Sequence, residues 1–115
     1  MPVLTFAVSG PGNCVEVGGV PYVYARTAQG GSVIRASCPH RGGPLHLATP
    51  DPTGRQLVCP WHERGTSLGR LRKEIPAVRR GSVVTAVIPG DPGSTVVHRH
   101  LPLSPGLSVG CREQF

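Results

Sequence analysis

Aromatic side chains are scarce in this chain: Phe6, Tyr22, Tyr24, Trp61 and Phe115 are all it has in 115 residues. With so few large anchors the core is small, and at this length there is room for one domain. Acidic residues number six against twelve basic ones, of which only Lys73 is not Arg, leaving a formal charge of +6. A basic surface suits nucleic acid, anionic lipid or an acidic protein partner. The arginines form no run and accompany no helix-turn-helix or RNA-binding signature, which argues against nucleic acid. An acidic protein surface is the expected partner. Apolar runs of about 18 residues are missing, so no membrane span is expected. Met1-Pro2-Val3-Leu4-Thr5 has no basic n-region, apolar h-region or cleavage site, so a cytoplasmic location is expected. Convincing helical periodicity over ten residues is absent as well.

What the chain has in quantity is Gly and Pro, 16 and 13 residues. They are spread between short β-branched runs, the pattern of a loop-rich, all-β protein. Strands are expected at 3–8, 14–17, 20–27, 32–37, 55–59 and 83–88. Gly18-Gly19 is a two-residue hairpin turn, and Thr53-Gly54 turns into the fifth run. The stretch 74–79 reads as a poor strand interrupted by Pro76. Pro89-Gly90-Asp91-Pro92-Gly93 is a strong breaker. It divides a domain over 1–89 from a Pro/Gly-rich extension over 90–115, which carries one more candidate strand at 95–101 and is expected to pack back partly or be mobile.

Four cysteines could form two disulfides in three pairings. Two of them instead sit in a pattern: Cys38-Pro39-His40, then 18 residues, then Cys59-Pro60-Trp61-His62. Two soft thiolates and two imidazoles are the ligand set wanted by zinc or by an iron–sulfur centre. Without a secretion signal, metal is favoured over a disulfide. Cys14 and Cys111 have no such neighbours and read as buried thiols in preference to a tail-to-body bridge.

The segments Cys38-Pro-His-Arg-Gly-Gly-Pro-Leu45 and Cys59-Pro-Trp-His62 resemble the two cluster-binding boxes of Rieske-type ferredoxins and of Rieske oxygenase N-terminal domains. The likeness extends more weakly over residues 3–88. It implies antiparallel sheets with a small two-loop cluster-binding subdomain, the loops at about 38–46 and 59–67. It further implies one [2Fe–2S] cluster, with Cys38 and Cys59 on the inner iron and His40 and His62 on the outer, near-surface iron. High-potential members of the family place an extra cysteine in each loop. Gly43 and Trp61 stand at those places here, which implies the lower part of the range of about −150 to +300 mV. The chain departs from the family after His62, where Glu63 replaces a common Gly and Thr66 an aromatic residue. Thr66 and Ser67 are either hydrogen-bond donors to cluster or cysteine sulfurs, which would raise the potential, or ordinary polar loop residues. Arg41, Gly43 and Trp61 complete the set expected around the ligands.

Arg41, Arg64, Arg70, Arg72 and Lys73 flank the boxes and form either a solvated face or a docking patch for an acidic reductase or oxygenase. His46 reads as a surface histidine. His98 and His100 would share one face of a strand and form a second metal site only with a third ligand such as Asp91 or Glu113. The leading functional expectation is a one-electron carrier between a reductase and an oxygenase or related redox enzyme. A small accessory subunit of a larger redox enzyme is the alternative. A stand-alone catalyst and a structural zinc module rank lower, and a non-catalytic electron-transfer component is expected in preference to an enzyme.

Overall fold

The computed structural model describes residues 2–27, 30–37, 44–60, 65–91, 93–104 and 107, apart from the side chains of Thr27 and Arg72. Ten strands and one short α-helix account for most of them. They are β1 (Val3–Ala7), β2 (Cys14–Val17), β3 (Val20–Thr27), β4 (Gly30–Arg35), β5 (Thr49–Pro50), β6 (Gln56–Val58), β7 (Gly65–Ser67), α1 (Leu68–Glu74), β8 (Ala77–Arg80), β9 (Val83–Val87) and β10 (Val96–Arg99). All pairings are antiparallel and form three sheets: β1-β9-β8, β10-β2-β3-β4 and β5-β6-β7. The all-β, antiparallel class expected from composition is what the chain adopts.

Period-two alternation explains the layering. In the four-stranded sheet, Cys14, Val23, Ala25 and Ile34 point to one face and join a core with Ala36, Leu45, Ala48, Leu57, Leu68, Leu71 and Leu107. Val15, Val17, Tyr22, Tyr24 and Val33 point to the other face and meet Phe6, Val84, Ala86 and Ile88 of the β1-β9-β8 sheet. The four-stranded sheet is thus a wall with apolar packing on both sides. Gly18 and Gly19, at φ 58° and 86°, make the β2–β3 turn. Both residues sit in the left-handed region, as a twist-matched two-residue hairpin requires.

Two expectations change. The segment before Pro76 is helical: Ser67 Oγ accepts from Arg70 N at 3.3 Å and caps α1. Leu68, Leu71 and Ile75 are buried along one side of this segment. Ile75 is extended (φ −132°, ψ 97°), as the residue before proline prefers, which stops the helix and moves the following strand to Ala77–Arg80. The strand expected at 95–101 is β10, and it adds a fourth strand beside β2. Beyond it the tail packs inward through Leu101, Leu103 and Leu107.

Candidate metal centre

Each box is carried on a loop whose base is described. After β4, Ser37 and Pro44 form an antiparallel bridge, and Leu45 N donates to Ala36 O at 2.8 Å. The ends that flank residues 38–43 therefore lie side by side. The ends that flank residues 59–64 are joined by the Val58–Gly65 pair of β6 and β7. Ala36 and Leu45 at the first base and Leu57 and Leu68 at the second belong to a single core cluster. Both loops consequently spring from the same apolar floor. Cys38, His40, Arg41 and Gly43 of the first loop, and Trp61, His62, Glu63 and Arg64 of the second, lie outside the described residues, as do Cys111 and Glu113.

Cys59 opens the second loop. Its thiol is fully buried and makes no disulfide. Thr66 pairs with Leu57 and shares its face of the β5-β6-β7 sheet, and Cys59 follows directly after the end of β6. Thr66 is 5% exposed, and its Oγ1 is buried with no hydrogen-bond partner among the described residues. Leaving a buried hydroxyl unpaired costs about 1–3 kcal/mol. A buried thiol and a buried hydroxyl in want of an acceptor, at the two ends of the second box, suit a sulfur-containing centre in contact with both.

Ser67 behaves differently from Thr66 because adjacent strand residues face opposite ways. It is exposed, and its hydroxyl is engaged in capping α1. Arg70 and Lys73 are exposed on α1, which follows directly from the second loop's return strand; Arg72 lies in the same helix, its side chain outside the description. Arg35, at the end of β4, stands 3.6 Å from a carboxylate oxygen of Glu74 and ties the end of α1 to the strand that feeds the first loop.

His46 is less exposed than expected. It lies in a 3-10 helix, Leu45–Leu47, with Nδ1 buried and lacking a hydrogen bond of normal geometry. Burial lowers its pKa, opposed by the nearby Ala36 carbonyl. Ser104 holds this turn from the tail, its N donating to His46 O at 3.0 Å and its Oγ to Ala48 O at 2.5 Å. Nothing in the sequence marked Ser104 for that contact, which joins residues 56 positions apart. Cys14 is a buried free thiol whose pKa burial pushes up. His98 and His100 are both exposed, and no three His, Cys, Asp or Glu side chains among the described residues converge as a metal site. No helix among them is long and apolar enough to cross a membrane.

An antiparallel β framework in which the bases of both boxes rest on one core, with a buried thiol at the start of the second, defines the class as a small, loop-rich β protein. A Rieske [2Fe-2S] domain profile matches residues 6–88, and the chain belongs to that family. No curated protein and no solved structure matches. Rieske domains bind a [2Fe–2S] cluster, which makes this chain a [2Fe–2S] electron-transfer protein of the kind that partners with other redox proteins.

Proposed function

We propose that Cys38, His40, Cys59 and His62 hold the cluster, and that the chain carries single electrons from a reductase to an oxygenase or related redox enzyme in the cytoplasm. The cluster supplies one-electron redox chemistry when bound. The observation that carries the reading is the pair of closed loop bases on one floor, with Cys59 buried and unbonded at the foot of the second. With two imidazoles in place of two thiolates, the centre is less negative than a four-cysteine one and sits at a higher potential.

The rest of the chain has three tasks. Thr66 donates its hydroxyl proton toward a cysteine or cluster sulfur, favouring the reduced state. The apolar floor keeps water from the inner side of the loops. Arg70 and Lys73, joined by Arg41, Arg64 and Arg72, offer positive charge around the loops to an acidic partner, which speeds encounter more than it strengthens the complex. Residues 1–89 form the cluster domain, and 90–115 a C-terminal extension whose residues 96–99 pair with β2. A permanent place in a larger redox enzyme is the second reading. It is favoured by β10, an edge strand exposing Val96 and Val97 at 38% and 45%.

The purified protein should be reddish-brown and, when reduced, give the EPR signal of a Rieske centre. A colourless protein with stoichiometric zinc would end the proposal. His62→Cys should lower the potential of any cluster that forms, and an unchanged potential would remove His62 from the ligand set. Purification with a stable stoichiometric partner would select the accessory-subunit reading over the free carrier.

A further inference from the structure

A cleft of about 240 Å³ opens where β3, β8 and the tail meet, and its lining is one-sided in charge. Arg26, Arg79 and His100 contribute to its wall, and among the described residues no carboxylate does. Three acidic side chains are engaged elsewhere: Glu16 pairs with Arg99, Glu74 with Arg35, and Asp51 closes its own turn through Thr53 and the backbone N–H groups of Arg55 and Gln56. Among the described residues neither Arg26 nor Arg79 has an ion-pair partner. Two guanidinium groups and an imidazole concentrated in one recess, with no compensating charge, form a setting for an anion.

The recess is also built and not merely basic. The Arg79 guanidinium lies 5.5 Å from the centroid of the Tyr24 ring, and its Nε donates to Gly81 O at 2.7 Å. Stacking and the Nε bond fix the plane of the group and leave its terminal nitrogens for a ligand. Arg26 follows Tyr24 by two residues on β3 and so shares its face. Opposite Arg26 stands Gly31, where a Cβ would come within 1.8 Å of Tyr24 Oη. Glycine there is what leaves room for the phenol in the wall. On the tail side, Asn13 grips Leu101 at both ends of its amide, with Leu101 N to Oδ1 at 2.7 Å and Nδ2 to Leu101 O at 2.8 Å. That double bond pattern places His100 against the cleft, and Leu103 and Leu107 supply an apolar side.

We propose that this cleft binds a small organic anion, a carboxylate with a short apolar body, at a site separate from the cluster loops. The volume falls below the roughly 300–1,000 Å³ of drug-sized pockets, which limits the ligand to metabolite size. The carboxylate takes the bidentate guanidinium geometry, and the body lies against Tyr24, Leu103 and Leu107.

Isothermal titration of the full-length, cluster-loaded protein with benzoate tests this, with benzyl alcohol as the uncharged match and inorganic phosphate as the anion without a body. Benzoate should bind at least tenfold more tightly than either. Arg26→Gln should weaken benzoate about tenfold, the loss of one charge-assisted contact, while leaving the cluster's EPR signal and potential as they were. Arg79→Lys, which keeps the charge but not the fork, should lose part of the affinity. Equal binding of benzoate and benzyl alcohol overturns the proposal, as does phosphate binding as tightly as benzoate or an Arg26→Gln protein that binds like the parent. Because the readout is heat of anion binding, its failure leaves the electron-carrier reading standing, and the reverse holds.

Discussion

The framework and the loop layer of this molecule hold themselves together in different ways. In the four-stranded sheet the β3–β4 ladder runs through six residue pairs, and strict alternation buries both faces. In the layer that carries the second box, β5, β6 and β7 are only two or three residues long, and the first box hangs from one isolated bridge. A ladder that short buries little apolar surface of its own, while fixing each residue costs about 1–2 kcal/mol of backbone entropy. The comparison teaches that the framework owes its order to its own ladders and burial, whereas the short ladders of the loop layer leave room for a bound centre to add order, as the proposed ligand set requires.

The sharpest way to break that contrast is to remove a ligand. Cys59→Ser should abolish the cluster and its colour altogether. Hydrogen exchange should then rise across 44–60 and 65–75 while β2, β3 and β4 stay protected; uniform loss of protection would show that the two regions stand or fall together. Damage to the framework should act in the opposite sense. Ile34→Ala, at a fully buried position, should cost about 2–5 kcal/mol in denaturant unfolding. It should leave the potential of the folded protein nearly unchanged.

Within the loop layer, Thr66→Val removes the hydroxyl while keeping the shape. The equilibrium for reduction should fall by about tenfold, equivalent to roughly 59 mV for one electron, and Thr66→Ser should restore most of it. An unaltered potential in Thr66→Val would make Thr66 a packing residue. Ser67→Ala should lose a cap worth about 1 kcal/mol, read as a lower urea midpoint with no change in potential, because Ser67 faces away from the loops.

The smallest effect concerns pH. Burial lowers the pKa of His46, so the unfolded chain binds a proton that the folded chain resists. The stability tied to this group is complete above about 6.5, the ordinary histidine value, and drains away as pH falls below it toward the lowered value. His46→Leu should flatten that slope in unfolding midpoints measured between pH 7 and 5. A slope that persists would assign it to other groups.

Much of the fold could be read from short-range chemistry. Glycine pairs and β-branched alternation placed β2 and β3 at their observed bounds, and the run expected at 83–88 is β9 but for its last residue. The helix escaped because seven residues are too few to display a period, although Ser67 as cap, apolar residues at 68, 71 and 75, and Pro76 as stop were all present. The boxes were legible as ligand chemistry. Which of Thr66 and Ser67 faces the loops was not, because that depends on the register of β6 with β7, and register is a pairing of two segments. The basic cleft was invisible for the same reason, since Arg26, Arg79 and His100 have no spacing in common.

By itself the amino-acid order determined the class of fold, the turns and the two thiolate–imidazole boxes, since φ/ψ preference, alternation and ligand type are properties of neighbours in the chain. Only tertiary structure decided that both loop bases rest on one apolar floor and that Thr66 turns inward while Ser67 turns out. It alone gathered Arg26, Arg79 and His100 from β3, β8 and the tail around one recess. Those outcomes arise from contacts between residues far apart along the chain, and no local preference encodes them.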